Sequence, residues 1–432
     1  MASTSCVPTA TLEVKRHRAF FKRHIQLLPR PYTSGDSQRM TLAFFCLSGL
    51  DLLGGITESG AGEAESFREW IWSQQMPHGG FRGSPAVEEP SKSNTKTSAH
   101  LAMTYTALLN LAILRDDFSR LNTEGLIDFV ASCQQPDGSF SPSPGLTECD
   151  PRFTFCAFSI LSMLSSPSSS SSSSSSSWSR IDVPRALHFL ARCKSYDGAY
   201  GQGPHQESHG GSTYCVLASY KLAGRLEELG KRERGRIVRW LLARQSDWEA
   251  DLGAVEEDED EDEEEEGEQE EQHKQELGLF GGGFNGRIGK KKDACYSFWC
   301  GASLAILSSH HLINSRHNLH HLLALQSPIG GIRKTADDPP DAMHSYLGLA
   351  ACALLKGEAL GRQEGVEEGE GNGEEHERME KKDEKQEQEQ EHQQVSYALE
   401  GLATAGLDPC LNISLETRDW IVQKLGSGRE VR

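Results

Sequence analysis

The chain has 432 residues and a formal net charge of −19, with 63 acidic side chains against 44 basic ones. With that balance no nucleic-acid partner is expected, and no apolar run approaches the length of a membrane span, so the chain is not expected to be an integral membrane protein. The excess is also local: 14 of the 16 residues from Glu256 to Glu271 are acidic, which leaves −5 for everything else and makes the low pI a poor guide to any active surface.

From the N-terminus, residues 1–11 read as a tail, and the stretch from Val14 to His24 is basic and amphipathic, unlike a secretory signal. The chain's eleven cysteines are scattered without a regular framework, so the expected setting is reducing and cytoplasmic. Trp72-Ser-Gln-Gln-Met-Pro-His-Gly-Gly-Phe81 then introduces a phrase that returns along the chain: a helix end, a Gln or its substitute, a short gap, Gly and an aromatic or aliphatic residue. The near-continuous apolar run His100–Ala112 follows as a buried helix. The phrase recurs at Cys133–Phe140, Cys193–Tyr200 and Leu325–Ile332, and a split copy begins at Ala243-Arg-Gln245 and ends at Gly282-Gly-Phe284. Each copy predicts a turn between helices.

The marker glycines Gly80, Gly138, Gly198, Gly283 and Gly331 are separated by 58, 60, 85 and 48 residues. A serine tract from Ser168 to Ser177 and the acidic run account for the longer intervals, and a Glu/Gln-rich stretch from Arg362 to Gln394 interrupts the chain a third time. None of the three has the apolar content to offset ordering entropy, so they read as disordered low-complexity insertions at 166–179, 251–277 and 357–396. With them set aside, the period fits one helix pair per repeat. Apolar helices such as Thr213–Leu222 belong inside and charged ones such as Arg232–Arg244 outside. The fold class is all-α, an α/α toroid spanning 12–413 as a single domain with a C-terminal tail at 414–432. Periodicity alone fits an open solenoid equally well.

Chemistry concentrates late in the chain. Asp293, Cys295 and Tyr296 lie in Lys292-Asp-Ala-Cys-Tyr-Ser-Phe-Trp299, and His344 follows in Pro340-Asp-Ala-Met-His-Ser-Tyr346. A carboxylate, a thiolate and an imidazole are a mixed three-ligand set for zinc with a coordination position left open. Both groups precede apolar helices, whose N-termini favour negative charge. Taken alone, the trio also reads as a buried structural cysteine, a helix-capping aspartate and an unrelated histidine. Gly286-Arg-Ile-Gly-Lys-Lys-Lys292 supplies positive charge next to Asp293, as an anionic substrate group would require.

The repeated phrase, the Asp-x-Cys-Tyr run and the later Asp-x-x-His together resemble the β subunits of protein prenyltransferases. Arg39-Met-Thr-Leu-Ala-Phe-Phe-Cys-Leu-Ser-Gly-Leu-Asp51, Met103-Thr-Tyr-Thr106, Glu207-Ser-His-Gly-Gly-Ser-Thr-Tyr-Cys215 and Cys295-Tyr-Ser-Phe-Trp299 resemble the type I geranylgeranyl branch in particular. The resemblance implies an α/α barrel active as a heterodimer with an α subunit. It implies transfer of a geranylgeranyl group from geranylgeranyl diphosphate to the cysteine of a C-terminal Cys-aliphatic-aliphatic-X sequence in substrates such as Rho-type small GTPases. One zinc ion would sit on Asp293, Cys295 and His344.

By the same resemblance the prenyl diphosphate meets His209, Gly210, Gly211, Arg287, Lys290, Tyr296 and Ser297, and its chain is lined by Thr41, Arg152, Cys215, Phe298 and Trp299. Lys334 stands where farnesyl enzymes carry a magnesium-binding aspartate, so it joins the catalytic set and no magnesium requirement is expected. Thr41 replaces a bulky tryptophan of the farnesyl enzymes and leaves room for a fourth isoprene. The rival expectations are a farnesyl- or Rab-type β subunit and a noncatalytic toroid scaffold.

Overall fold

The computed structural model describes residues 10–56, 60–87, 98–165, 177–246, 282–364, 393–404 and 406–426. The expected insertion 251–277 lies outside these residues, as do 166–176 and 365–392 of the other two.

Six helices stand side by side as an inner ring: α2 (Arg39–Leu52), α4 (Leu101–Ile113), α6 (Pro151–Met163), α8 (Gly210–Leu222), α10 (Ala294–Ile306) and α12 (Ala342–Glu364). Each packs on its neighbours in that order, and α12 returns to α2, so the structure is a closed toroid. An outer helix precedes each inner one: α1 (Val14–Gln26), α3 (Ala61–Trp72), α5 (Thr123–Ser132), α7 (Val183–Arg192), α9 (Lys231–Leu242) and α11 (Ser315–Ala324). Composition assigns the layers. All of α4 except Ala102 is buried because an inner helix touches others on several sides, whereas α9 buries only Ile237, Trp240 and Leu241.

The repeated phrase forms the turn from outer to inner helix. Its five copies make one-residue bridges, Gln75 to Phe81, Gln134 to Phe140, Lys194 to Tyr200, Gln245 to Phe284 and Gln326 to Ile332. Gly138 shows why glycine recurs here: its φ of +93° is left-handed, and a Cβ would overlap the backbone of Arg185 in the next outer helix.

The glutamine of each phrase ties its repeat to the start of the following outer helix. Gln75 accepts from Asn122 N–H at 3.0 Å, Gln134 from Asp182 N–H at 2.8 Å and Gln245 from Asn314 N–H at 3.0 Å. In the third copy Lys194 substitutes, with Nζ 2.6 Å from Glu233 Oε1. Gln326 closes the circle by accepting from Glu13 N–H at 2.8 Å and donating to the Thr11 carbonyl at 3.1 Å. Paired donor and acceptor bonds of this kind satisfy backbone groups at helix starts that would otherwise lack partners.

The far end of the barrel is filled by the chain itself. A hairpin of β1 (Leu407–Asp408) and β2 (Ile413–Ser414) leads into α13 (Leu415–Ile421). Three inner-ring tyrosines donate to the carbonyls of its loop: Tyr105 to Leu411 at 2.7 Å, Tyr214 to Cys410 at 3.2 Å and Tyr346 to Asn412 at 2.5 Å. Asp51 accepts from Ser414 Oγ at 2.6 Å and Thr417 Oγ1 at 2.8 Å. The residues after 413, expected as a tail, thus carry a packed helix, held by hydroxyl partners too distant in sequence to be read from composition. The helix α12 likewise continues past 357 to Glu364, and Ser177 and Trp178, at the end of the expected serine insertion, pack into the wall, with Trp178 edge-on to Phe158 at 5.1 Å.

Candidate active site

All the inner helices run the same way, so their N-termini gather at one mouth. His100, Asp150, His209 and Asp293 cap α4, α6, α8 and α10 through side-chain acceptors, and Asp341 Oδ1 accepts the His344 N–H at 2.9 Å in α12. The mouth is therefore rimmed by positive helix ends.

The expected metal ligands meet there. One donor atom each from Asp293, Cys295 and His344 lies within 4.8 Å of the others, and all three residues are buried. His344 Nε2 is 3.3 Å from Asp293 Oδ1, while Nδ1 is 2.6 Å from Asp341 Oδ2. Burial disfavours the imidazolium, but hydrogen bonds to Asp293 and Asp341 and their charges outweigh it and raise its pKa to about 9. Asp293 is lowered despite burial because His344 and Cys295 hydrogen-bond to it. The Cys295 thiol is pushed well up by burial and by the Asp293 charge. Such a cluster holds protons that a cation would replace, and one oxygen, one sulfur and one nitrogen donor fit zinc. Asp341 was not legible as the group orienting His344; an acidic residue three positions before a candidate ligand histidine on a helix is the signal that finds it.

Beside the triad, Tyr296 Oη and His209 Nε2 are 2.9 Å apart. His209 Nδ1 accepts from the N–H groups of Gly211 at 3.1 Å and Ser212 at 3.3 Å, so the ring proton sits on Nε2 and is donated to Tyr296. The Tyr296 hydroxyl proton is then available to an acceptor in the mouth. Burial, with Arg287 adding its charge, lowers the His209 pKa and keeps the ring neutral. The basic loop is brought in by the Gly210 N–H, which donates to the Gly286 carbonyl at 3.0 Å, and a Cβ at Gly286 would overlap the Tyr296 ring. Arg287 pairs with Glu207. The Ala294 N–H donates to the Lys334 carbonyl at 3.0 Å, which fixes the Lys334 backbone beside the metal ligands. Lys290 lies in the same loop, with its N–H 3.4 Å from the Arg287 carbonyl.

The other expected residues differ in exposure. Trp299 is half-buried with its ring 5.1 Å from Tyr214, and Cys215 is buried one turn into α8. Thr41 Oγ1 reaches Met103 Sδ at 3.5 Å from the first turn of α2. Arg152 stays half-exposed on the rim, bound to Asp150 and 3.6 Å from Glu148. Ser297 and Phe298 are turned into the wall: Ser297 Oγ donates to Asn318 of the outer helix α11 at 2.8 Å, and Phe298 is fully buried against Tyr214. Helical geometry puts Cys295 and Trp299, four apart, on one face and Ser297 on another.

A rim histidine was missed. His100 repeats the His209 arrangement, with Nδ1 accepting the Ala102 N–H at 3.1 Å and burial pulling its pKa down to about 4. A histidine just before the apolar run of an inner helix is the shared signal.

Among the described residues no helix is long and apolar enough to cross a membrane. The family profile described as "Prenyltransferase alpha-alpha toroid domain" matches residues 12–412, and the chain belongs to that prenyltransferase family. It is 32% identical over 375 residues to the geranylgeranyl transferase type-1 subunit beta of Arabidopsis thaliana, covering 82% of this chain and 88% of that one. With the Dictyostelium discoideum protein of the same name it shares 33% identity over 356 residues, 76% of this chain and 87% of the relative. The farnesyltransferase subunit beta of Schizosaccharomyces pombe is 27% identical over 363 residues, 79% of each chain. Among solved structures, Candida albicans protein geranylgeranyltransferase-I complexed with GGPP matches with a TM-score of 0.70 and 25% identity over 96% of this chain and 99% of that one.

Proposed function

We propose that this chain is the catalytic β subunit of a type I protein geranylgeranyltransferase, paired with an α subunit in the cytoplasm. It moves a geranylgeranyl group from its diphosphate to the cysteine sulfur of a C-terminal Cys-aliphatic-aliphatic-X sequence, X typically Leu, in proteins such as Rho-type small GTPases. The observation that carries this reading is the adjacency, at one mouth, of a three-donor metal set and a group of anion-binding donors.

Asp293, Cys295 and His344 would hold one zinc ion, with Asp341 fixing the His344 ring. Zinc, when bound, supplies a Lewis acid that favours the thiolate of a substrate cysteine. The reaction forms a bond from that sulfur to the first carbon of the prenyl chain and breaks the bond from that carbon to the diphosphate. His209 aims the Tyr296 hydroxyl, and Arg287, Lys290 and Lys334 provide cations where the departing diphosphate gains charge. Gly210 and Gly211 open the first turn of α8, where the absence of side chains lets Tyr296 and His209 pack close to the helix end that faces the diphosphate. Cys295 serves as a ligand, and no covalent enzyme intermediate is involved. Lys334 takes the electrostatic place of magnesium, and Thr41, Arg152, Cys215 and Trp299 border the lipid.

The test is coexpression with a prenyltransferase α subunit, followed by assays with geranylgeranyl and farnesyl diphosphate and with peptides ending in Leu or Ser, with and without magnesium. Geranylgeranylation of the Leu peptide without magnesium is expected. Preference for farnesyl diphosphate would move the chain to the farnesyl branch, and no transfer of either lipid would leave a scaffold.

A further inference from the structure

The segment Glu207-Ser208-His209, which leads into α8, sends three successive side chains to three different elements. Ser208 Oγ donates to Asp197, whose other oxygen accepts from Trp240 Nε1 at 2.9 Å. His209 meets Tyr296 of α10, and Glu207 meets Arg287 of the basic loop. The backbone carrying Glu207 is thus pinned on both of its following residues, and the carboxylate is held at a site otherwise built for anions. The Glu207 and Arg287 charges both reach His209, the first favouring its imidazolium and the second opposing it. A fixed carboxylate there repels a diphosphate, so it weakens a site whose other groups attract one.

We propose that Glu207 is the resting counterion of Arg287 and sets how tightly the mouth holds pyrophosphate. In the structure described, the guanidinium is paired with Glu207 beside His209. An arriving diphosphate takes the guanidinium from the carboxylate. When pyrophosphate departs, Glu207 recaptures Arg287, and the product leaves a site that is re-neutralised from within. Glu207 is a positioning residue that acts through Arg287; it touches no reacting atom. The inference rests on the proposed meeting of Arg287 with the diphosphate.

The pair is solvent-accessible, with side chains 39% and 61% exposed, so a modest effect is expected. The heterodimer carrying Glu207→Gln, which keeps the shape and removes the charge, is to be compared with Arg287→Gln and the double variant. The readout is the inhibition constant of inorganic pyrophosphate, with zinc content and the KM for the peptide as controls. Glu207→Gln is expected to tighten pyrophosphate by about two- to fivefold. Structural damage does not produce such a gain. Arg287→Gln is expected to weaken it, and in that background the Glu207→Gln effect should vanish. Unchanged or weaker pyrophosphate binding in Glu207→Gln, or the same tightening without Arg287, overturns the inference while the Arg287 assignment stands. Unchanged pyrophosphate binding in Arg287→Gln overturns that assignment and the inference with it.

Discussion

The two ends of the barrel use their polar groups in opposite ways. Where the C-terminal hairpin rises into the barrel from the far end, the hydroxyls of Tyr105, Tyr214 and Tyr346, each the fifth residue of its helix, are buried and spent on carbonyls of the Cys410–Asn412 loop, so the polar groups there complete the fold. At the mouth the helix N-termini are capped but still carry their positive dipole ends, and the Tyr296 hydroxyl and the clustered Asp293, Cys295 and His344 keep valences turned toward a guest. One end satisfies itself; the other is finished only by a ligand. Substitutions should therefore separate into losses of chemistry at the mouth and losses of stability around the hairpin.

The strongest way to break this division is Cys295→Ala. In the purified heterodimer it should remove most of the bound zinc and lower thioether formation by at least about 100-fold with little change in melting temperature. Retention of zinc and turnover would remove Cys295 from the ligand set. Asp341→Asn should weaken zinc affinity by about 10- to 100-fold, measured by chelator competition, because His344 loses the carboxylate that orients it.

Zinc binding should also follow pH. Without metal, His344 keeps its proton up to about 9 and the Cys295 thiol keeps its own higher still, so the ion must displace both, and affinity should rise by about 100-fold per pH unit below about 9. The same raised pKa stabilises the metal-free fold in full below about 6.5 and ceases to do so as pH climbs through about 9. His100 has the reverse sign: its depressed pKa favours the fold above about 6.5 and loses that contribution as pH falls toward 4. Denaturant titrations of Asp341→Asn and His100→Gln across pH resolve the two.

Against the hairpin loop, Tyr346→Phe leaves the Asn412 carbonyl without its donor and should cost about 1–3 kcal/mol in stability, with zinc content unchanged. Gln326→Ala, on the outside of the ring, should cost about 0.5–1.5 kcal/mol, read from the denaturation midpoint. A loss of zinc in either would show that the ends are coupled.

The features legible in the sequence are those enforced locally. Glycine at Gly138 and its equivalents answers to a left-handed turn, and the apolar density of α4 answers to its inner position. Asp293 and Cys295 are two residues apart, and a helix start explains both. What could not be read depends on partners far along the chain. Thr417 is fixed by Asp51, 366 residues away, and Arg287 by Glu207, 80 residues away. The closed ring rests on the packing of α12 against α2 and on Gln326, a residue indistinguishable in sequence from the glutamines that only join neighbours.

The Gln326 tie has a consequence for how the chain comes together. The bonds from Gln75 and Gln134 to the next repeat span 47 and 48 residues, whereas that from Gln326 to Glu13 spans 313. During synthesis the early repeats can add one to the next by short loop closures, forming a growing arc with local contacts. The flanks of α1 and α11 stay unmated until almost the whole domain has emerged. The join between them is a single late event that hides both edges at once, and the C-terminal hairpin can find its three tyrosines only when helices from the first, middle and last thirds of the domain already stand around it.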